Sequence, residues 1–86
     1  MRNKLYRKAI GAFGVDAQLT VAIEELSELA KEICKAKRGI EHIENIAEEV
    51  ADVEIMCEQL RLIFGIDTQV EAWKEKKLKR LENRLQ

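Results

Sequence analysis

Leu19-Thr20-Val21-Ala22-Ile23-Glu24-Glu25-Leu26-Ser27-Glu28-Leu29-Ala30-Lys31-Glu32-Ile33 decides the fold of this chain. Its apolar residues, Leu19, Ala22, Ile23, Leu26, Leu29, Ala30 and Ile33, recur every three or four positions. That is the period of one face of an α-helix, not the alternation of a strand. The same period runs through all 86 residues and predicts an all-α domain over 1–86 with four helices. The first runs from about Asn3 to Phe13 and stops at Gly14, with Tyr6, Ala9, Ile10 and Phe13 on its buried stripe and Leu5 beside it; Gly11 weakens it. The second follows Asp16, a good N-cap residue, and continues to about Lys37 before Gly39. The third runs from about Glu41 to Phe64, ends at Gly65 and buries Ile43, Ile46, Val50, Val53, Cys57, Leu60 and Phe64. The fourth starts near Asp67 or Thr68, where Thr68 and Glu71 have capping-box spacing, and carries Val70, Trp73, Leu78, Leu81 and Leu85.

Composition narrows the function classes. With 36% charged and 47% hydrophobic residues and no proline, the chain is a charged helical protein and not a disordered one. A net charge of -1 gives no argument for nucleic acid or a membrane as partner. The charge is unevenly spread: Glu41 to Leu60 holds seven acids and no Lys or Arg, whereas Trp73 to Arg84 holds six bases and two acids. Such a division suits a metal-bound polyphosphate, or the two segments suit each other. Cys34 and Cys57 have no metal or redox spacing and read as free thiols of a reducing compartment. No apolar run reaches membrane-span length, so the expected location is the cytoplasm.

The acids carry the chemistry. Glu25 and Glu28 in the second helix, and Glu49 and Asp52 in the third, are each three residues apart and so share a helix face. At about 100° per residue, Glu25 falls at the edge of the apolar arc and Glu49 on the arc itself, with Asp52 just outside it. Four carboxylates gathered at one place repel and raise one another's pKa unless a hard divalent cation neutralises them. The alternative is a pair of solvated acidic faces. Two details favour a metal: the third helix has no Lys at four-residue spacing before Arg61, and Asp52 is a poor helix former in mid-helix. A di-iron or di-manganese centre would require Glu-x-x-His motifs. The sole histidine is His42, and Gly39 stands where its Glu would be, so an all-carboxylate Mg²⁺ or Mn²⁺ site is the better match.

The arrangement Glu24-Glu25-x-x-Glu28, twenty intervening residues, then Glu49-x-x-Asp52 resembles the signature of the all-α nucleoside triphosphate pyrophosphohydrolases. It is most similar to small single-domain MazG-like proteins, including phage-type ones. Gln18 to Leu29 resembles the first helix motif of that family, Glu44 to Val53 the second, and Trp73 to Leu78 the closing helix of its short members. The likeness extends from Asp16 to Leu85. It implies a four-helix up-down arrangement of the all-α NTP pyrophosphatase type, assembled into an oligomeric bundle, with a homodimer or homotetramer expected.

Carried over by position, the resemblance implies that Glu25, Glu28, Glu49 and Asp52 ligate Mg²⁺, or Mn²⁺, and that a nucleoside triphosphate is cleaved between its α and β phosphates to the monophosphate and pyrophosphate. Glu24, one turn before Glu28, is the expected group to orient or deprotonate the attacking water. Gln18, seven residues before Glu25, is either a base-contacting amide or an exposed first-turn residue. Asn45 is a further candidate for sugar or base contact. Lys74 and Lys77 are candidates for the β and γ phosphates, although lysines at core-facing positions commonly snorkel. Trp73 is expected to pack in the core rather than stack on a base. The chain lacks the tandem domains of larger MazG proteins and is shorter than the dimeric dUTPases, so its base preference stays open. A non-catalytic helical interaction module, antitoxin-like, adaptor-like or a degenerate family member, is the alternative from another class.

Overall fold

A computed structural model describes residues 2–40 and 42–86. Four helices account for nearly all of them: α1 Arg2–Phe13, α2 Val15–Lys37, α3 Ile43–Phe64 and α4 Asp67–Arg84. There is no strand among the described residues, and no helix is long and apolar enough to cross a membrane. The expected start of the third helix at Glu41 lies outside the described residues.

Glycine sets the helix ends. Gly14 has φ 95°, donates its N–H to the Ile10 carbonyl and accepts from the Gln18 N–H, so one residue closes α1 and opens α2. This corrects the expected cap: Asp16 lies inside the first turn of α2, where its charge complements the helix dipole, and the cap is Gly14 with no side-chain bond. Gly65, in the left-handed conformation, ends α3 while the Ile66 N–H returns to the Arg61 carbonyl at 3.0 Å. The capping box at Thr68 does not form. Helix α4 begins behind Ile66, and Glu71 is taken by Arg61 instead.

The α2/α3 hairpin is the frame. The Gln18 Nε2 donates to Gln59 Oε1 at 2.7 Å, and seven residues further along α2, Glu25 meets Asp52, seven residues back along α3. The two helices therefore run in opposite directions with a fixed register. Both glutamines are buried, so their bond satisfies two amides that would otherwise be stranded. Helix α1 packs across α2 and α3, where buried Tyr6 donates its hydroxyl to Glu58 and Arg2 pairs with the same carboxylate at 3.4 Å. Helix α4 touches α3 alone.

The core is thin. Among the described residues, Tyr6, Ala22 and Met56 are the buried members of the apolar set. Several expected core positions prove to be exposed: Leu5 and Phe13 in α1; Ile23, Leu26, Ala30 and Ile33 in α2; Ile43, Val50, Cys57 and Phe64 in α3; and Trp73, Leu78, Leu81 and Leu85 in α4. The stripes exist as read from the spacing, but the four helices leave much of them exposed.

Candidate metal centre between α2 and α3

Three of the four predicted ligands converge. Glu25 of α2 and Glu49 and Asp52 of α3 are half-buried, and each offers a carboxylate oxygen within 4.8 Å of the others. The hairpin register produces this. Glu49 and Asp52 lie one turn apart on the α3 face that meets α2, opposite the turn that carries Glu25. Two oxygens on one Ca²⁺ stand at most about 5 Å apart and on one Mg²⁺ at most about 4.2 Å, so a separation of up to 4.8 Å is at the outer reach of a single coordination sphere.

The electrostatics are those of uncompensated like charge. Asp52, close enough to share a proton with Glu25, holds the Glu25 carboxyl above its ordinary value, and desolvation and the charges of Asp52, Glu49 and Glu28 add to this. Glu49 is also raised, first by desolvation and then by Asp52, Glu28, Glu48 and Glu32. Its Oε2 is closed off from solvent and has no hydrogen-bond partner. A shielded carboxylate oxygen with nothing donating to it is costly, and a proton or a cation would relieve it. The donor set, all carboxylate oxygen, has the hardness that Mg²⁺ or Mn²⁺ requires.

The remaining predicted residues stand further out. Glu28 is exposed at the rim, outside the group of three, and acts on Glu25 and Glu49 through its charge. Glu24 is exposed on α2 and Asn45 is exposed in the first turn of α3. Gln18 is a buried strut and not an exposed first-turn residue. Lys74 is exposed, 3.9 Å from Glu71, and lines a cleft of about 640 Å³ with Cys57, Leu60 and Val70. Lys77 is exposed. This cleft and two others, of about 730 and 650 Å³, lie where α3 meets α1 and α4, and the three carboxylates line none of them.

Two residues went unassigned by sequence reasoning. Gln59 pairs with Gln18, and the available signal was its place seven residues past Asp52, on the same side of α3. Glu32 is the buried carboxylate of α2, seven residues past Glu25 and so on the same face, with its Oε2 3.3 Å from Lys35 Nζ. Glu32 has a cation of its own in the chain, whereas Glu49 pairs with none among the described residues. No family model, curated protein or solved structure matches this chain.

Proposed function

We propose that the carboxylate centre binds Mg²⁺, or Mn²⁺ in its place, and that the protein is a nucleoside triphosphate pyrophosphohydrolase. The observation that carries this reading is the convergence of Glu25, Glu49 and Asp52 around the unpartnered, solvent-shielded Oε2 of Glu49. The MazG-like motif spacing supplies the reaction class. The finer fold, an up-down four-helix bundle completed by oligomerisation, and a cytoplasmic location belong to the same proposal.

Glu25, Glu49 and Asp52 hold the cation, and Glu28 reaches in from the rim. The bound cation supplies charge neutralisation for the triphosphate and a lower pKa for water. Glu24 orients or deprotonates the attacking water. The water oxygen bonds to the α phosphorus as the bond to the bridging oxygen breaks, leaving the monophosphate and pyrophosphate. Lys74 or Lys77 meets the β and γ phosphates, and Asn45 the sugar or base. A base contact from Gln18 requires its bond to Gln59 to open.

The test is a panel of ribo- and deoxyribonucleoside triphosphates with Mg²⁺ or Mn²⁺, with the products separated by chromatography. The expected result is equimolar monophosphate and pyrophosphate from at least one nucleotide, lost on chelation. No turnover of any nucleotide, or full activity in Glu49→Gln, defeats the reading. One observation favours the second reading, a non-catalytic interaction module: the line of exposed apolar residues on α2 and α3. That module predicts no pyrophosphate release under any condition.

A further inference from the structure

Helix α4 is sided by charge. Placed at about 100° per residue, its acids Asp67, Glu71, Glu75 and Glu82 share one arc of about 80°, and Lys76, Lys77, Arg80 and Arg84 share an opposite arc of about 100°. Gln69 and Trp73 lie inside the basic arc, and no acid does. The net charge of -1 conceals this division.

The basic stripe does nothing for the helix that carries it. Lys76, Arg80 and Arg84 follow one another at four-residue spacing, where like charges weaken a helix. Among the described residues, Arg61 and Lys74 have carboxylates within ion-pair distance, whereas Lys76, Lys77, Arg80 and Arg84 have none. The stripe also stays open, because α4 touches α3 alone and every residue from Glu71 onward is exposed.

Trp73 gives the stripe its chemistry. The residue is 53% exposed, and Lys76 Nζ stands 5.1 Å from its ring centroid, held by the electron-rich face. Gln69, Ala72, Trp73 and Lys76 line a shallow hollow of about 260 Å³. An aromatic plane, an amide with both donor and acceptor, and a cation in one hollow are the groups that take up a nucleobase with its phosphate.

We infer that this face of α4 binds single-stranded nucleic acid, with a base stacked on Trp73, its edge at Gln69, and successive phosphates on Lys76, Arg80 and Arg84. The surface is separate from Glu25, Glu49 and Asp52, and the inference does not rest on the catalytic reading. Each four-residue step advances about 6 Å along the helix axis, so the stripe tracks an extended strand and not one compact anion. A duplex keeps its base faces inside the stack and offers Trp73 nothing to stack on. A membrane surface is disfavoured by the apolar stripe of α4. Val70, Leu78, Leu81 and Leu85 have the bases on one flank but Glu71, Glu75 and Glu82 on the other, so lying on anionic lipid would press acids against the headgroups.

Trp73 is the sole tryptophan, so its emission reads the contact directly in the unmodified full chain. Titration uses a single-stranded oligothymidylate of about a dozen nucleotides, with chelator present to keep the carboxylate centre out of the measurement. Tryptophan emission is expected to be quenched and the anisotropy of the labelled strand to rise. Affinity should fall with salt at a log-log slope of about -2, from about -0.7 for each of three phosphates. Arg80→Gln brings the slope to about -1.4, while Lys8→Gln, the same charge change on an exposed residue of α1, leaves it unchanged. Trp73→Ala, followed by anisotropy, weakens binding about fivefold or more. All three positions are exposed, so helicity by circular dichroism is expected to stay the same. Absence of quenching at about 50 mM salt overturns the inference, as does an equal loss in Lys8→Gln and Arg80→Gln. Tighter binding of a duplex, or equal quenching by free thymidine triphosphate or by anionic vesicles, overturns it as well.

Discussion

Two charged clusters in this protein are built from the same kinds of side chain and behave in opposite ways. At the α3/α4 junction, Arg61 Nη1 pairs with Glu71 Oε2 at 2.6 Å and Asp67 Oδ1 at 3.0 Å. Those hydrogen bonds, Glu71 first, push the guanidinium further up. Between α2 and α3, Glu25, Glu49 and Asp52 bring carboxylate oxygens within 4.8 Å of one another with no base among them, and repulsion and desolvation push Glu25 and Glu49 toward the protonated form. The first cluster supplies its own counter-ion and is a structural tie. The second leaves the counter-ion to be supplied from outside, and this absence of internal compensation marks it as the candidate site.

The sharpest way to break the contrast is Glu49→Gln. On the proposed function, pyrophosphate release is expected to fall by at least about a hundredfold, because a ligand of the proposed cation is lost. The metal-free protein is expected to melt a few degrees higher, because a repelling charge is gone. Loss of activity with a lower melting temperature would mark Glu49 as merely structural. The next effect is that of the cation itself. At a hundred times its Kd, Mg²⁺ stabilises a protein by about 2.7 kcal/mol, which for a domain of this length is roughly 10 to 20 °C in Tm. Differential scanning fluorimetry with and without chelator checks this, and Glu49→Gln should show almost none of it.

The register that brings the acids together can be probed separately. Gln18→Leu strands the buried Gln59 carbonyl oxygen and is expected to cost about 1 to 3 kcal/mol in urea unfolding. Adding Gln59→Leu should restore much of that loss. The pH response is smaller and has a definite sign. In the folded, metal-free chain Glu25 and Glu49 are held above their ordinary values, so their contribution is fully present below the carboxyl range and lost as pH rises through the raised values. The Tm advantage of Glu49→Gln over the wild type should therefore grow from about pH 4 toward neutrality. Smallest is Arg61→Ala. It should lower Tm by a few degrees in low salt, less in high salt, and leave turnover unchanged, since its carboxylate partners are solvent-exposed.

The helices were legible because a repeat of three and four needs only sequence neighbours, and because Gly14, Gly39 and Gly65 mark stops by a backbone conformation that other residues adopt at a cost. The caps at Asp16 and Thr68 were misread because a side chain with a stronger or nearer partner does not cap. Asp16 sits two residues past the cap position of α2, and Glu71, the other half of the box at Thr68, goes to Arg61. Within the site, the pairing of Glu49 with Asp52 followed from helix geometry, and its meeting with Glu25 depended on the hairpin register, which the Gln18 to Gln59 bond fixes. The exposure of Glu28 was not readable. Its face follows from Glu25, but how far α3 extends over that face is a tertiary fact. Burial failed most often as an expectation: spacing locates a stripe and does not say how much of it the other helices cover, as Ile23, Leu26 and Ile43 show.

The order of helix contacts also has a kinetic consequence. Each helix packs on its neighbour along the chain, with α1 on α3 as the one longer closure. Chains of such low contact order fold in microseconds to milliseconds. A refolding trace of this protein should therefore be dominated by a fast helical phase whose rate ignores dilution.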